Sequence, residues 1–182
     1  MKRESSAAYI ARLASTLLLI TAVVAAGLAC VNAVTAPEIE ALNAQKTQTA
    51  IEAVLPGGGE EIAFTDDSGI VSTIYKGQSG YAVEVTPSGF NGTVTMMVGV
   101  DNAGKVLGIS VVNHTETAGL GAEAASQGAA GTAFRSQFTG MSGSVSVTKD
   151  GGQVDALTGA TITSRAVCTG VNAALNAAAK LG

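Results

Sequence analysis

The sequence predicts an α+β fold, a mainly antiparallel sheet with packed helices, plus one N-terminal transmembrane helix. Three observations carry this. Leu13 to Val34 is an uncharged, apolar run. Strand-like segments then come in adjacent pairs around Gly-, Asn- and Asp-bearing turns. Helical periodicity returns at the C-terminal end.

The apolar run covers 22 positions. At about 1.5 Å per residue it can cross a hydrocarbon core of about 30 Å. Lys2, Arg3 and Arg12 precede it, and Glu38 and Glu40 follow. The positive-inside rule then expects residues 1–12 in the cytoplasm, 13–34 in the membrane and the rest outside the cytoplasm. Two alternatives keep the domain outside as well. One is a cleaved signal peptide, whose apolar core is usually shorter, about 7–15 residues. The other is a lipoprotein signal with Cys30 lipidated after Gly27-Leu28-Ala29, although Gly27 stands where a large aliphatic is usual.

Residues 35–56 form a juxtamembrane segment, and 57–182 form the extracytoplasmic domain. Pro37 suits the first turn of a helix. Ile39, Leu42, Ala50, Ile51 and Val54 recur among polar residues, so an amphipathic helix is expected. It either continues the membrane helix or begins just after it, and Pro56-Gly57-Gly58-Gly59 ends it. Ile70–Tyr75 and Tyr81–Thr86 read as paired strands around Gly77-Gln78-Ser79-Gly80. Thr93–Val100 and Lys105–Val112 read as a longer hairpin joined at Asp101-Asn102-Ala103-Gly104. Ala122–Phe138 is Ala-rich and helical in character, weakened by Gly128 and Gly131. Val145–Thr148 reads as a short strand before an Asp150-Gly151 turn. Ser164–Leu181 reads as a helix with Ser164 as N-cap and Val167, Val171, Leu175 and Ala178 on one face.

Charge narrows the function. Only 13% of residues are charged, and the net charge is −4. Residues 1–36 hold three basic residues against Glu4, which leaves seven basic and thirteen acidic residues beyond. An acidic domain argues against nucleic-acid binding. The two cysteines, Cys30 and Cys168, fall in the apolar run and near the C-terminus, so a disulfide between them is not expected. With no CxxC and no Cys/His cluster, no metal site or iron–sulfur cluster is expected, and redox chemistry here needs an organic cofactor.

The informative stretch is Asp155-Ala156-Leu157-Thr158-Gly159-Ala160-Thr161-Ile162-Thr163-Ser164. Hydroxyls crowd around two small residues just before a helix, whose N-terminus favours phosphate. Residue chemistry alone leaves two readings, a phosphate site and a capped turn into a helix.

The pattern Asp-x-x-Thr-Gly-Ala-Thr-x-Thr resembles the flavinylation motif of the FMN-binding domain family. That family includes the RnfG (RsxG) and NqrC subunits of ion-pumping respiratory complexes. A second stretch is similar too: Phe90-Asn91-Gly92, the 101–104 hairpin, then His114-Thr115-Glu116-Thr117-Ala118-Gly119-Leu120-Gly121. The RnfG branch is the better match. The resemblance departs at Ala118, where Pro is usual, and the change is expected to loosen the loop slightly.

The resemblance implies FMN joined to Thr161 by a phosphoester. A separate flavin transferase that uses FAD and a divalent metal makes the link, and Asp155 helps that enzyme recognise the site. It implies further FMN contacts from Thr158, Gly159, Ala160, Thr163, Thr117, Leu120 and Gly121. Glu116 either meets the flavin or caps the loop. The implied role is an electron relay in a complex coupling ferredoxin and NAD oxidoreduction to Na⁺ or H⁺ movement, with no turnover by this chain alone. The implied partners are the other membrane subunits, including a second flavinylated one, the transferase and membrane lipid. An NqrC-like relay in a quinone reductase, a stand-alone flavoprotein and a non-flavin membrane-anchored binding domain are the competing readings. No residue is expected to be catalytic. His114 reads as a hydrogen-bonded turn residue rather than a proton donor, Cys168 as a small core residue, and Met96 and Met97 as strand packing.

Overall fold

A computed structural model describes residues 6–66 and 68–181. Lys2, Arg3 and Glu4 lie outside the described residues. The chain divides into two compact units, Met1–Ala44 and Gln45–Gly182.

Helix α1 runs Ser6–Val54. Within it an 18-residue window has a mean hydropathy of 2.4 and none of it is buried. Leu17, Leu18, Leu19, Ile20, Val23, Val24 and Leu28 are all exposed. Water would penalise so continuous an apolar surface, and a hydrocarbon layer would not. The few hydroxyls turn inward. Ser15 and Thr16 donate to the Arg12 carbonyl, and Thr21 donates to Leu17 and Leu18. Pro37 lies inside this helix rather than opening a second one. It removes one rung of the ladder without stopping it, because helix-forming sequence continues on both sides. Helix formation ends at Val54, before Pro56-Gly57-Gly58-Gly59.

The second unit is built on a five-stranded antiparallel meander in the order β1 (Glu60–Ile62), β2 (Val71–Lys76), β3 (Gly80–Val85), β4 (Val94–Asp101), β5 (Val106–His114). The two expected hairpins pair as read, with Ile74 opposite Val83 and Val98 opposite Ile109. Side chains alternate across the sheet. Val83, Val85, Met96, Val98 and Val100 enter one core with Val167, Val171 and Leu175 of α3 (Thr161–Leu181). Ala82 and Met97 face the other way and meet Ala50, Ile51, Val54 and Leu55 at the end of α1. The sheet is therefore covered on both faces, which is why β3 and β4 carry apolar residues at nearly every position.

Three readings need correction. The Ala-rich stretch splits into a 3₁₀ turn, Gly121–Ala124, and α2, Ala129–Ser136. Gly128 takes the N-cap position between them. Val145–Thr148 is not a strand. It makes a single parallel bridge, Val147 to Val154, before a 3₁₀ turn, Thr148–Asp150. The Asn172 side chain supplies what a neighbouring strand would, accepting from Val145 N–H and donating to Val145 C=O, both at 2.8 Å. Ser164 is not the N-cap of the last helix. Its N–H bonds to the Ala160 carbonyl at 3.0 Å, so α3 begins three residues earlier, at Thr161. The Ser164 hydroxyl is fully buried. It accepts from Leu157 N–H and donates to the Ala160 carbonyl, each at 3.0 Å.

Candidate functional site

The earlier start of α3 puts Thr161 on the first helical residue. The first N–H groups of any helix lack intrahelical acceptors, so the Thr161 hydroxyl sits beside unpaired donors. The chain enters through Gly159, whose φ of +74° only glycine adopts without strain. A Cβ there would also lie 2.9 Å from Leu120 Cδ2. This contact brings the 116–121 loop against the helix start.

Between them lies a cleft of about 380 Å³ lined by Phe90, Glu116, Thr117, Leu120, Gly121, Lys149, Gly159, Ala160, Thr161 and Ile162. That is within the range of small-molecule sites, about 300–1,000 Å³. Its rim is apolar and exposed: Phe90 at 68%, Ile162 at 49% and Leu120 at 43%. Leu107 is the only other exposed large apolar side chain among the described residues of this unit. Within this lining the Lys149 ammonium donates to Thr161 Oγ1 at 3.2 Å. Beside Lys149, Asp150 accepts two bonds from Arg165 of α3, both at 2.7 Å. That pairing holds the Asp150 carboxyl below the usual carboxylate range.

Glu116 organises the cleft wall. Only 8% of it is exposed. Its Oε1 accepts from Phe90 N–H at 2.8 Å and Asn91 N–H at 3.1 Å, and its Oε2 accepts from the Thr163 hydroxyl at 2.6 Å. One carboxylate thus ties the turn before β4, the 116–121 loop and the first turn of α3 together. Gly121 permits this, because a Cβ there would run into both Glu116 Oε2 and Thr163 Oγ1. The loop itself closes on the Thr117 carbonyl, which accepts from Leu120 and Ala122 N–H, both at 3.2 Å. Closure is thus achieved with Ala118 in place of Pro.

Of the residues singled out by sequence, Glu116, Thr117, Leu120, Gly121, Gly159, Ala160 and Thr161 meet at this cleft. Thr163 does not line it. It is 1% exposed and serves Glu116. Thr158 faces a neighbouring cleft of about 310 Å³, with Leu120 as the shared wall. Asp155 also lines that second cleft, and its backbone is held by Gln137 on both N–H and C=O. His114 closes β5, where its backbone N–H donates to the Asn113 side chain at 3.0 Å and its ring Nδ1 is buried without a partner. Cys168 is buried, and burial pushes its thiol up to about 11. Cys30 and Cys168 are both free. Sequence reasoning missed Phe90 and Lys149 as site residues. The available signals were an aromatic between Gly89 and Gly92, and a lysine in a domain poor in basic residues.

Fold and cleft define the class: a small α+β domain in a chain that also has a helix long enough to span a membrane, with an apolar-rimmed cleft at the start of its last helix. The FMN-binding domain family matches residues 89–176. Over 88% of this chain, the sequence is 36% identical to the G-type subunit of the Na⁺-translocating ferredoxin:NAD⁺ oxidoreductase complex of Acetobacterium woodii, covering 87% of that protein. It is 33% identical to the G-type subunit of the ion-translocating oxidoreductase complex of Methanosarcina acetivorans, over 88% of this chain and 90% of that one. A third relative is the G-type subunit of the proton-translocating ferredoxin:NAD⁺ oxidoreductase complex of Clostridium ljungdahlii, 39% identical over 52% of this chain and 51% of its own length. The chain belongs to the family of G-type subunits of ion-translocating oxidoreductase complexes.

Proposed function

We propose that this chain is the FMN-bearing electron-carrier subunit of a membrane complex that couples ferredoxin:NAD oxidoreduction to Na⁺ or H⁺ translocation. FMN is joined to the Thr161 hydroxyl as a phosphoester. The observation that carries the reading is the position of Thr161, the first residue of α3, which lines the cleft with its hydroxyl bonded to Lys149.

The residues present fit the group. FMN exchanges one or two electrons, which is the chemistry a relay needs. The N–H groups of the first turn and the Lys149 ammonium would hold the phosphate. Phe90, Leu120 and Ile162 would shield the ring system from water, and Thr117 and Gly121 would complete the wall. Glu116 and Thr163 act behind the wall, fixing the spacing of the loops. A covalent link suits a site open to bulk solvent, where a bound but unattached cofactor would be lost by dilution.

In this reading residues 13–34 anchor the chain in lipid, 1–12 face the cytoplasm and 35–56 lead to the extracytoplasmic domain, 57–182. A flavin transferase loads the site, and the partners are the other subunits of the complex, including a second flavinylated one. This chain alone turns over no substrate.

Co-expression with a flavin transferase, followed by a denaturing gel read for flavin fluorescence, tests the reading. The wild-type band is expected to fluoresce and Thr161→Ala to be dark. A dark wild-type band, with the transferase active on a control protein, would sink it and leave the 155–164 stretch as a capped turn. Protease treatment of right-side-out vesicles checks orientation, with digestion of the domain expected.

A further inference from the structure

We propose that Lys149 drives the attachment step: its ammonium orients Thr161 Oγ1 and offsets the negative charge on the phosphoryl oxygens, and Arg165 positions it through Asp150. This rests on Thr161 being the attachment site.

Lys149 sits on the 3₁₀ turn Thr148–Asp150, next to an acidic neighbour. Here both Asp150 oxygens are engaged by the Arg165 fork, from Nε and Nη2, each at 2.7 Å. A bidentate guanidinium–carboxylate pair fixes orientation as well as distance. It pins the turn to α3 four residues beyond Thr161 and leaves the ammonium to reach the Thr161 oxygen at 3.2 Å. By donating, Lys149 occupies one lone pair of Oγ1. The hydroxyl proton and the remaining lone pair are then free to face the cleft.

The step balances without a redox change. The co-reactant is FAD, supplied by the transferase. A bond forms between Thr161 Oγ1 and the FMN phosphorus, and the P–O bond of the pyrophosphate bridge breaks. AMP leaves with the bonding electron pair, and the hydroxyl proton passes to a base of the transferase. Negative charge accumulates on the phosphoryl oxygens as this happens, and the product phosphodiester keeps one negative charge. Lys149 is the charged side chain of this chain that touches the reacting oxygen, and the other charged residue lining the cleft, Glu116, is an anion.

The test uses the full-length chain in detergent, purified transferase, FAD and Mg²⁺, with flavin incorporation followed by intact mass and in-gel fluorescence. Lys149→Met is expected to lower the saturated transfer rate about 10-fold, the modest effect of a charge on an exposed side chain. The KM for the chain should not change, and Lys149→Arg should recover most of the rate. Salt should slow the wild type and leave Lys149→Met nearly unaffected. Arg165→Gln is expected to cost about threefold by itself and nothing further in the Lys149→Met background, because it acts through that lysine. Melting temperatures of the variants identify any that fail to fold, and Lys149→Arg keeps the test open if Lys149→Met is one of them.

A wild-type rate in Lys149→Met overturns the proposal. So does a change confined to KM, which would make Lys149 a docking contact for the transferase. Both results leave the flavin reading of Thr161 intact. A wild-type chain that takes up no flavin overturns both.

Discussion

Glu116→Ala should loosen the cleft before it unfolds the domain, and its cost can be worked from three bonds. Oε1 accepts from Phe90 and Asn91 N–H, and Oε2 accepts from the Thr163 hydroxyl. Hydrogen bonds to a charged group contribute about 1.5–3 kcal/mol each. Phe90 and Asn91 are exposed, so water can replace the carboxylate for those two donors. Thr163 is buried and loses its partner in a dry position. Part of the loss is offset because a carboxylate no longer has to be desolvated. The net expectation is a destabilisation of about 2–4 kcal/mol. Glu116→Gln keeps the shape. Its carbonyl can still accept from both backbone donors, and its amide can donate to the Thr163 oxygen, so only the charge is lost, at about 1 kcal/mol. Urea unfolding of the full chain in mild detergent, followed by tyrosine fluorescence because the sequence has no Trp, measures both. A cycle with Thr163→Ala should return a coupling of about 1–2 kcal/mol. Glu116→Ala within about 0.5 kcal/mol of wild type, or Glu116→Gln as damaging as Glu116→Ala, would refute the reasoning.

Three further outcomes follow from the same geometry. Gly121→Ala should destabilise by about 2–3 kcal/mol, because its Cβ meets Glu116 and Thr163. Gly159→Ala, which adds left-handed strain and meets only the mobile end of Leu120, should cost about 1–2 kcal/mol; the reverse order in urea midpoints would contradict the packing described. Asp66 is held down to about 2 by the Ser68 hydroxyl and by the Val71 and Ile70 N–H groups. Its stabilising contribution is therefore complete above the ordinary carboxyl value of 3.8 and is lost as pH falls towards 2. Asp66→Asn should lower stability at neutral pH and flatten the decline between pH 4 and 2, and parallel profiles for the two proteins would count against this. Cys168, buried and with its thiol pushed up to about 11, should resist maleimide at pH 8 until denaturant is added; rapid labelling of the native chain would show that the helix face is open.

The parts of the fold that were legible follow local rules. Alternation and turn residues located β2 to β5, because each hairpin joins neighbours through a short Gly-bearing connection. Strand β1 was not legible. Three residues, Glu60–Ile62, carry no period, and they are a strand only because β2 lies beside them. The bridge at Val147 was misread because β-branched residues favour extended backbone whether or not a partner strand exists. Here Val145 is paired by the Asn172 side chain, 27 positions away, and Val147 only by a single bridge to Val154. The start of α3 was misplaced for a related reason. Ser164 has the composition of an N-cap, but its hydroxyl is engaged in holding Leu157, and Ala160 takes the cap position with no side chain to announce it. The motif residues around Thr161 were found because they are contiguous. Lys149 and Phe90 reach the cleft by tertiary structure alone.

The cleft draws on three stretches: the turn at 89–92, the loop at 116–121, and the run from Lys149 to Thr163. None of them holds a metal cluster among the described residues, and none is a regular element except at its last few positions. Each is fixed by its own contacts: the turn by Glu116, the loop by its own Thr117 carbonyl and the Gly159–Leu120 approach, and the Lys149 turn by the Arg165 fork. The cleft is thereby left with first-turn N–H groups that have no intrahelical acceptor, an ammonium on Thr161 Oγ1 and exposed apolar side chains. Such groups are costly to leave without partners. The Glu116 carboxylate ties the turn, the loop and the helix start to one another, so the cleft keeps its shape without drawing on these groups.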